Sequence, residues 1–360
     1  MAPLPPTIPT KLTQRSNYAN IKSAYDRCLR EERRLMERRD QGPNTQLRLV
    51  SIRILGCLIH HAPTDVAVGT VVKEIHSCKE DADLYDVGDL YLRALTRAFK
   101  AAKGQTPAPS NHASRPSFDT LSDMIKDYLE PAPLSHTTAK KNALARDGFR
   151  CVVSAKYDLA SIQENSELKK KYLSGELPFK DVTHTQCAHI FSESTNVGIE
   201  PESDKLDWAS SMWAVMTRFG YTSLPDDLNG PNIHRLENIM TLQGDIHKLF
   251  DSLSIWFVAT NTEHTYRIET IPDHAPFALE YPTVSFTTSK PGLALPSPEY
   301  LAIHAACAKV AHLSGASEWF RKYDHDEEEH FHKTLATDGN SASLLHNLLW
   351  VHASQGDTMA

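Results

Sequence analysis

The sequence predicts an α+β fold, a mainly α-helical chain with a small β-hairpin core embedded in it. Three observations carry that expectation. Apolar residues recur at helical spacing through most of the first hundred residues. Two short extended segments, CVVSAKYD from Cys151 and VTHTQCAHIF ending at Phe191, interrupt the helical pattern further on. The segment GDIHKLFD (244–251) then has the spacing of a short helix, and SIWFVAT, NTEHT and TYRIETI follow it as strand, polar turn and strand.

The elements follow in chain order. Residues 1–16 are rich in proline and polar side chains and read as a disordered lead-in. Residues 17–103 read as a helical N-terminal region. One charged helix there carries Ile21, Tyr25, Cys28, Leu29, Leu35 and Met36 on one side. Leu47, Val50, Ile54 and Leu58 mark a second, and Leu84, Tyr91, Leu95 and Phe99 a later one. The run REERRLMERRD mixes both signs and reads as a solvated helix face. Residues 104–117, GQTPAPSNHASRPS, have linker composition. Residues 118–135 hold a short helix, FDTLSDMIKDYL, and a connector. The helix SHTTAKKNALARDGF, with Gly148 as its stop, opens a unit spanning 136–270. Between Glu200 and Pro231 an inserted helix is expected, with Trp208, Met212, Val215, Met216 and Phe219 as its stripe; Trp208 and Trp213 read as core. Residues 271–322 give a proline-rich segment and the helix EYLAIHAACAKVAHLSG. Residues 323–360 form a charged, His-rich tail with one more helix pattern, SLLHNLLWVHA.

Composition narrows the function classes. The 360 residues are 41% hydrophobic and 23% charged, an ordinary globular balance. No apolar run reaches the ~18–20 residues of a membrane span, and MAPLPPTIPTKL lacks the apolar stretch of a secretory signal. The expectation is a protein of the cytoplasm or nucleus without a membrane partner. Cys28, Cys57, Cys78, Cys151, Cys187 and Cys307 form no Cys-x-x-Cys pair and read as free thiols. Net charge is −7, with 38 basic against 45 acidic residues, so any basic footprint for nucleic acid has to be local.

Three segments carry the chemistry when taken together: CVVS at 151–154, CAHI at 187–190 and NIMTLQGDIHKLFDSLSIWF at 238–257. In order they supply a strand, a histidine at a strand end, a loop asparagine and a histidine on the first turns of a helix. Taken singly, each has a plainer reading: a hydrogen-bonded sheet histidine, a turn asparagine, an aspartate capping a helix. Taken together, the sequence resembles the ββα-metal site of HNH endonucleases over about a third of the chain. The likeness continues weakly into the helix near the C-terminus.

The resemblance implies metal-dependent hydrolysis of nucleic-acid phosphodiesters, DNA being the implied substrate. A neutral imidazole has a pKa near the working pH and can take a proton from water; His189 is the expected base. The amide oxygen of Asn238 is expected to hold its other ring nitrogen. A divalent cation, Mg²⁺ with Mn²⁺ or Zn²⁺ as alternatives, is expected to stabilise charge on the phosphate. His247 and Asp251 lie four residues apart on one helix face and can present two ligands to it. Some HNH enzymes carry a carboxylate just before the base; here that position is Ala188, which places the burden on Asp251.

Lys140, Lys141, Arg146 and Arg150 are the local basic group, either contacting phosphates or forming a solvated helix face. His184 and His234 either approach the metal, as the next ligand candidates after His247 and Asp251, or are surface histidines, the plainer reading; Asp245 reads as solvent-facing. DHDEEEHFH reads as a flexible acidic tail. Two rival readings stand beside the enzyme: an inactive HNH fold used for binding or assembly, and a protein-recognition role for the N-terminal helices.

Overall fold

The computed structural model describes residues 3–38, 42–97, 123–124, 137–178, 181–196, 199, 204–288 and 290–319. The expected linker at 104–117, nearly all of 118–135 and the tail at 323–360 lie outside them, as do the side chains of Leu95, Phe99 and Trp208. Described is a mainly helical α+β chain with small sheets.

The first helices are α1 (Thr10–Thr13), α2 (Tyr18–Met36), α3 (Pro43–His61), α4 (Asp65–Ser77) and α5 (Asp81–Arg97). Helix α2 buries Ile21, Ala24, Tyr25, Cys28 and Leu35, the three-and-four spacing of one helix face, while Met36 is exposed. Helix α3 is buried without a break from Val50 to His60, because α2, α4 and α5 all pack around it. Proline at its first position costs nothing, since that N–H would lack a helical partner anyway. At the α3–α5 crossing, a Cβ on Gly88 would overlap the Ser51 carbonyl, so only glycine permits this approach.

Two expectations fail here. The lead-in is not disordered from Leu4 onward: Leu4 and Leu12 are buried. The Leu4 N–H donates to Glu32 at 3.0 and 3.2 Å, and Tyr25 donates to the Pro5 carbonyl at 2.6 Å. Two leucines among prolines suffice to anchor the segment, which its composition alone does not reveal. The run REERRLMERRD is not wholly a solvated face either. Glu31 and Glu32 turn inward, Glu32 pairing with buried Arg53 at 2.6 Å.

The second half opens with α6 (Thr137–Arg146), stopped at Gly148 with φ +68°. Then come β1 (Tyr157–Asp158), α7 (Leu159–Glu164), α8 (Ser166–Ser174), β2 (Val182–Thr183) and β3 (Thr185–His189). Helices α9 (Asp204–Arg218) and α10 (Leu224–Asp227) lead to β4 (Ile239–Gln243) and α11 (Gly244–Asp251). β5 (Ile255–Ala259), β6 (Thr265–Thr270), α12 (Ala275–Glu280), β7 (Thr283–Ser285) and α13 (Pro298–Leu313) complete the order. Strands β5, β6 and β7 form an antiparallel sheet, with Ile255 opposite Thr270. The inserted helix α9 buries Met212, Trp213, Val215 and Met216, with Phe219 just beyond it.

The central hairpin differs from the one expected. Residues 151–154 are a turn, closed by Cys151 N–H to the Lys156 carbonyl and Ala155 N–H to the Cys151 carbonyl. The partner of β3 is β4, antiparallel, with Thr185 opposite Gln243 and His189 opposite Ile239. All five residues of β4, IMTLQ, are buried, so it lacks the alternation of a half-exposed strand, and its partner lies across the long α9 insertion.

The two halves share one hydrophobic core. Helix α13 packs on β5 and also on α3 and α5, and α9 packs on α4 and α5. Arg218 of α9 forms an ion pair with buried Glu74 of α4, Tyr91 donates to the same carboxylate, and Tyr91 stacks on Phe219 at 5.5 Å. Among the described residues, no helix is long and apolar enough to cross a membrane.

Candidate active site

Strand β3 runs out at His189, and its alternation puts Cys187 and His189 on one face, Gln186 and Ala188 on the other. His189 is 8% exposed. Its Nε2 lies 3.0 Å from Nδ1 of His234, the two rings meeting edge to face at 5.2 Å. His234 ends the 3₁₀ turn Gly230–His234. Glu193, in the 3₁₀ turn Glu193–Thr195 just past β3, brings a carboxylate oxygen to 3.9 Å from His234 Nδ1. One donor atom from each of His189, Glu193 and His234 lies within 4.8 Å of the other two, a grouping matched by no other His, Cys, Asp or Glu set among the described residues.

Asn238 works differently from expectation. It is fully buried, and its Oδ1 accepts from the Phe191 N–H at 2.8 Å. Its Nδ2 donates to the carbonyls of Phe191 at 3.0 Å and Ile233 at 2.8 Å. The partner at His189 Nε2 is His234, not the amide. Asn238 instead ties the exit of β3 to the turn carrying His234, so one amide fixes the backbone on which both rings stand. Phe191 is further held against Trp213 and Tyr300, and Asn196 accepts from Trp213 Nε1 at 3.2 Å.

Helix α11 packs on β3 and β4. His247 Nε2 lies 3.2 Å from Asp251 Oδ2, and Nδ1 lies 2.7 Å from Gln186 Oε1. With Gln186 accepting from Nδ1–H, the Nε2 lone pair points toward the carboxylate. One imidazole nitrogen and one carboxylate oxygen, both partly exposed, form a donor pair suited to a divalent ion that keeps most of its water. Ala188 is wholly buried opposite Met240 and adds no donor.

The basic group separates. Lys140 and Lys141 are exposed on α6, and Arg150 is half-buried. Arg146 is not available to phosphate. It is 1% exposed, ion-paired with Asp147 at 2.7 Å, and donates to the carbonyls of Leu236, Ile239 and Ala294. Asp147 in turn accepts from the Thr241 N–H at 3.0 Å, so this pair braces β4.

Of the grouped residues, the sequence offered His234 only as a secondary metal candidate, and Glu193 not at all. His234 is a neighbour of His189 only through the fold, and the His-x-x-x-Glu spacing of 189 and 193 was the one local signal. His184 is exposed, as expected; Asp245, also exposed, accepts from Gln243 at 2.7 Å. The Cys187 thiol is pushed up to about 12, by burial first and then by the Glu193 charge, so it stays protonated and is no nucleophile at neutral pH.

Residues 151–258 match a family model described as HNH endonuclease, which covers less than a third of the chain. No curated protein and no solved structure matches.

Proposed function

We propose that the chain is a metal-dependent HNH-type endonuclease that hydrolyses phosphodiester bonds of nucleic acid, DNA being the favoured substrate. The observation that carries this reading is the His247–Asp251 pair, held by Gln186 on the strand that ends in His189, within a segment matching the HNH family model. His189 is the general base. When its Nε2–H donates to His234 Nδ1, the proton is fixed on that nitrogen and the Nδ1 lone pair is the one that takes a proton from water. His234 is therefore a positioning residue. His247 and Asp251 would hold a hard divalent cation, Mg²⁺ first, and such an ion supplies stabilisation of the charge growing on the phosphate. Gln186 orients His247. Lys140, Lys141 and Arg150 contact flanking phosphates, and electrostatic attraction there stays local because the chain carries net negative charge.

A second reading, an inactive HNH fold used for binding or assembly, draws on one observation: the position just before His189 is Ala188, buried and without a donor. Supercoiled plasmid incubated with the full chain separates the two. Nicking with Mg²⁺ or Mn²⁺ that EDTA abolishes, and that His189→Ala lowers by about 10²–10⁴-fold, supports the enzyme. Retention of DNA without cleavage under every metal supports the scaffold.

A further inference from the structure

We infer that His189, His234 and Glu193 form a second cation site, selective for a borderline transition-metal ion such as Zn²⁺, and that filling it switches the base off. The donor set is two imidazoles and one carboxylate, which suits Zn²⁺ and leaves an open position, whereas Mg²⁺ prefers an oxygen shell. The spacing fits. Metal–ligand bonds of about 2.1 Å put tetrahedral ligands about 3.4 Å apart. His189 Nε2 and His234 Nδ1 are 3.0 Å apart, His234 Nδ1 and Glu193 Oε2 are 3.9 Å apart, and all three side chains bring a donor within 4.8 Å of the others, so small side-chain rotations bring the three donors onto one ion.

The site is also preorganised where it needs to be. Asn238 holds the backbone beside both histidines through Phe191 and Ile233, and both rings are largely buried. The Glu193 side chain is 37% exposed, although its Oε2 facing His234 is itself buried. His247 and Asp251 do not belong to this group of donors, so the two cation sites are distinct.

The regulatory consequence rests on the nuclease reading; the binding itself does not. A cation on His189 Nε2 takes the lone pair there, and the ring's proton then resides on Nδ1. Nδ1–H cannot accept a proton from water, so the base is lost while the Mg²⁺ pair stays intact.

Full-length protein titrated with CoCl₂ reads the site directly through the intense visible bands of four-coordinate Co²⁺, and ZnCl₂ competition then gives the zinc affinity. One equivalent should bind, with affinity lowered by about 10–100-fold in His234→Ala and in Glu193→Gln, and unchanged in His247→Ala. Glu193→Asp should recover part of the loss. In parallel, the ratio of plasmid nicking with and without added ZnCl₂, at fixed Mg²⁺, should be small in the wild type and closer to one in Glu193→Gln. Co²⁺ and Zn²⁺ binding that is equal in wild type, His234→Ala and Glu193→Gln overturns the site. Binding that follows these variants while the nicking ratio does not overturns the switch. If binding behaves as stated but zinc-free protein never nicks DNA, the nuclease reading fails and the site stands.

Discussion

Arg146 carries a permanent charge inside the protein, and its guanidinium is met by Asp147 and by three backbone carbonyls beside β4. Removing one member of such a pair leaves the other charge buried, at a cost of about 3–5 kcal/mol. Arg146→Ala should therefore lower the urea midpoint sharply. Lys140→Ala with Lys141→Ala should leave the midpoint nearly fixed and instead flatten the salt dependence of DNA binding. An unaltered midpoint in Arg146→Ala would contradict the structural role. In KKNALAR the sequence shows three cations on a helix, but which one turns inward depends on carbonyls some ninety and more residues away. The same holds for His234, whose meeting with His189 is set by Asn238 and the β3–β4 register rather than by any local spacing. The placement of His189 at a strand end and of His247 and Asp251 on one short helix was legible, because strand end and helix turn each leave a local mark.

At the scale of elements, helices were legible where apolar residues repeat every three or four positions, as in α2 and α9, and so was the β5–β6 hairpin with its polar turn. Strand β4 was not, because burial on both faces removes the alternation that marks a strand. The contact between α9 and α4 was likewise hidden, although it decides how the two halves join. Arg218 reaches Glu74, whose carboxyl is pushed up by burial and pulled back by Arg218 and Tyr91. Arg218→Ala should cost about 3–5 kcal/mol in chemical denaturation, since Glu74 is 1% exposed and would lose its countercharge. Arg218→Ala with Glu74→Gln should recover much of that loss. A single variant as stable as the parent would show that the pair does not join the halves.

Across the whole molecule, histidines buried without charge give the fold an acid limit. Burial lowers His60 and His61 to about 4 and His304 to about 3, His304 also lying stacked on Phe250 at 3.8 Å. Their folded pKa values lie below the unfolded 6.5, so between these limits the unfolded chain binds more protons. Stability is then full above about pH 6.5 and is lost as pH falls toward 4, by up to about 1.4 kcal/mol per pH unit for each of His60 and His304. Urea midpoints at pH 7.5 and 5.0 check this: the midpoint should fall by an amount equivalent to several kcal/mol. A constant midpoint would contradict neutral burial. His60 on α3 and His304 on α13 are buried, and these helices pack on each other across the two halves, so acid should unfold the N-terminal helices and the hairpin unit together.

A base on β3 and a cation pair on α11 leave two different kinetic signatures in a single experiment. Initial rates of plasmid nicking are measured against Mg²⁺ concentration for the wild type, His189→Ala and His247→Ala. His189→Ala should lower the maximal rate by about 10²–10⁴-fold with the same half-saturating Mg²⁺. His247→Ala should raise the half-saturating Mg²⁺ by at least about tenfold. Wild-type nicking that needs no Mg²⁺, or variants whose curves overlay the wild type, would contradict these roles.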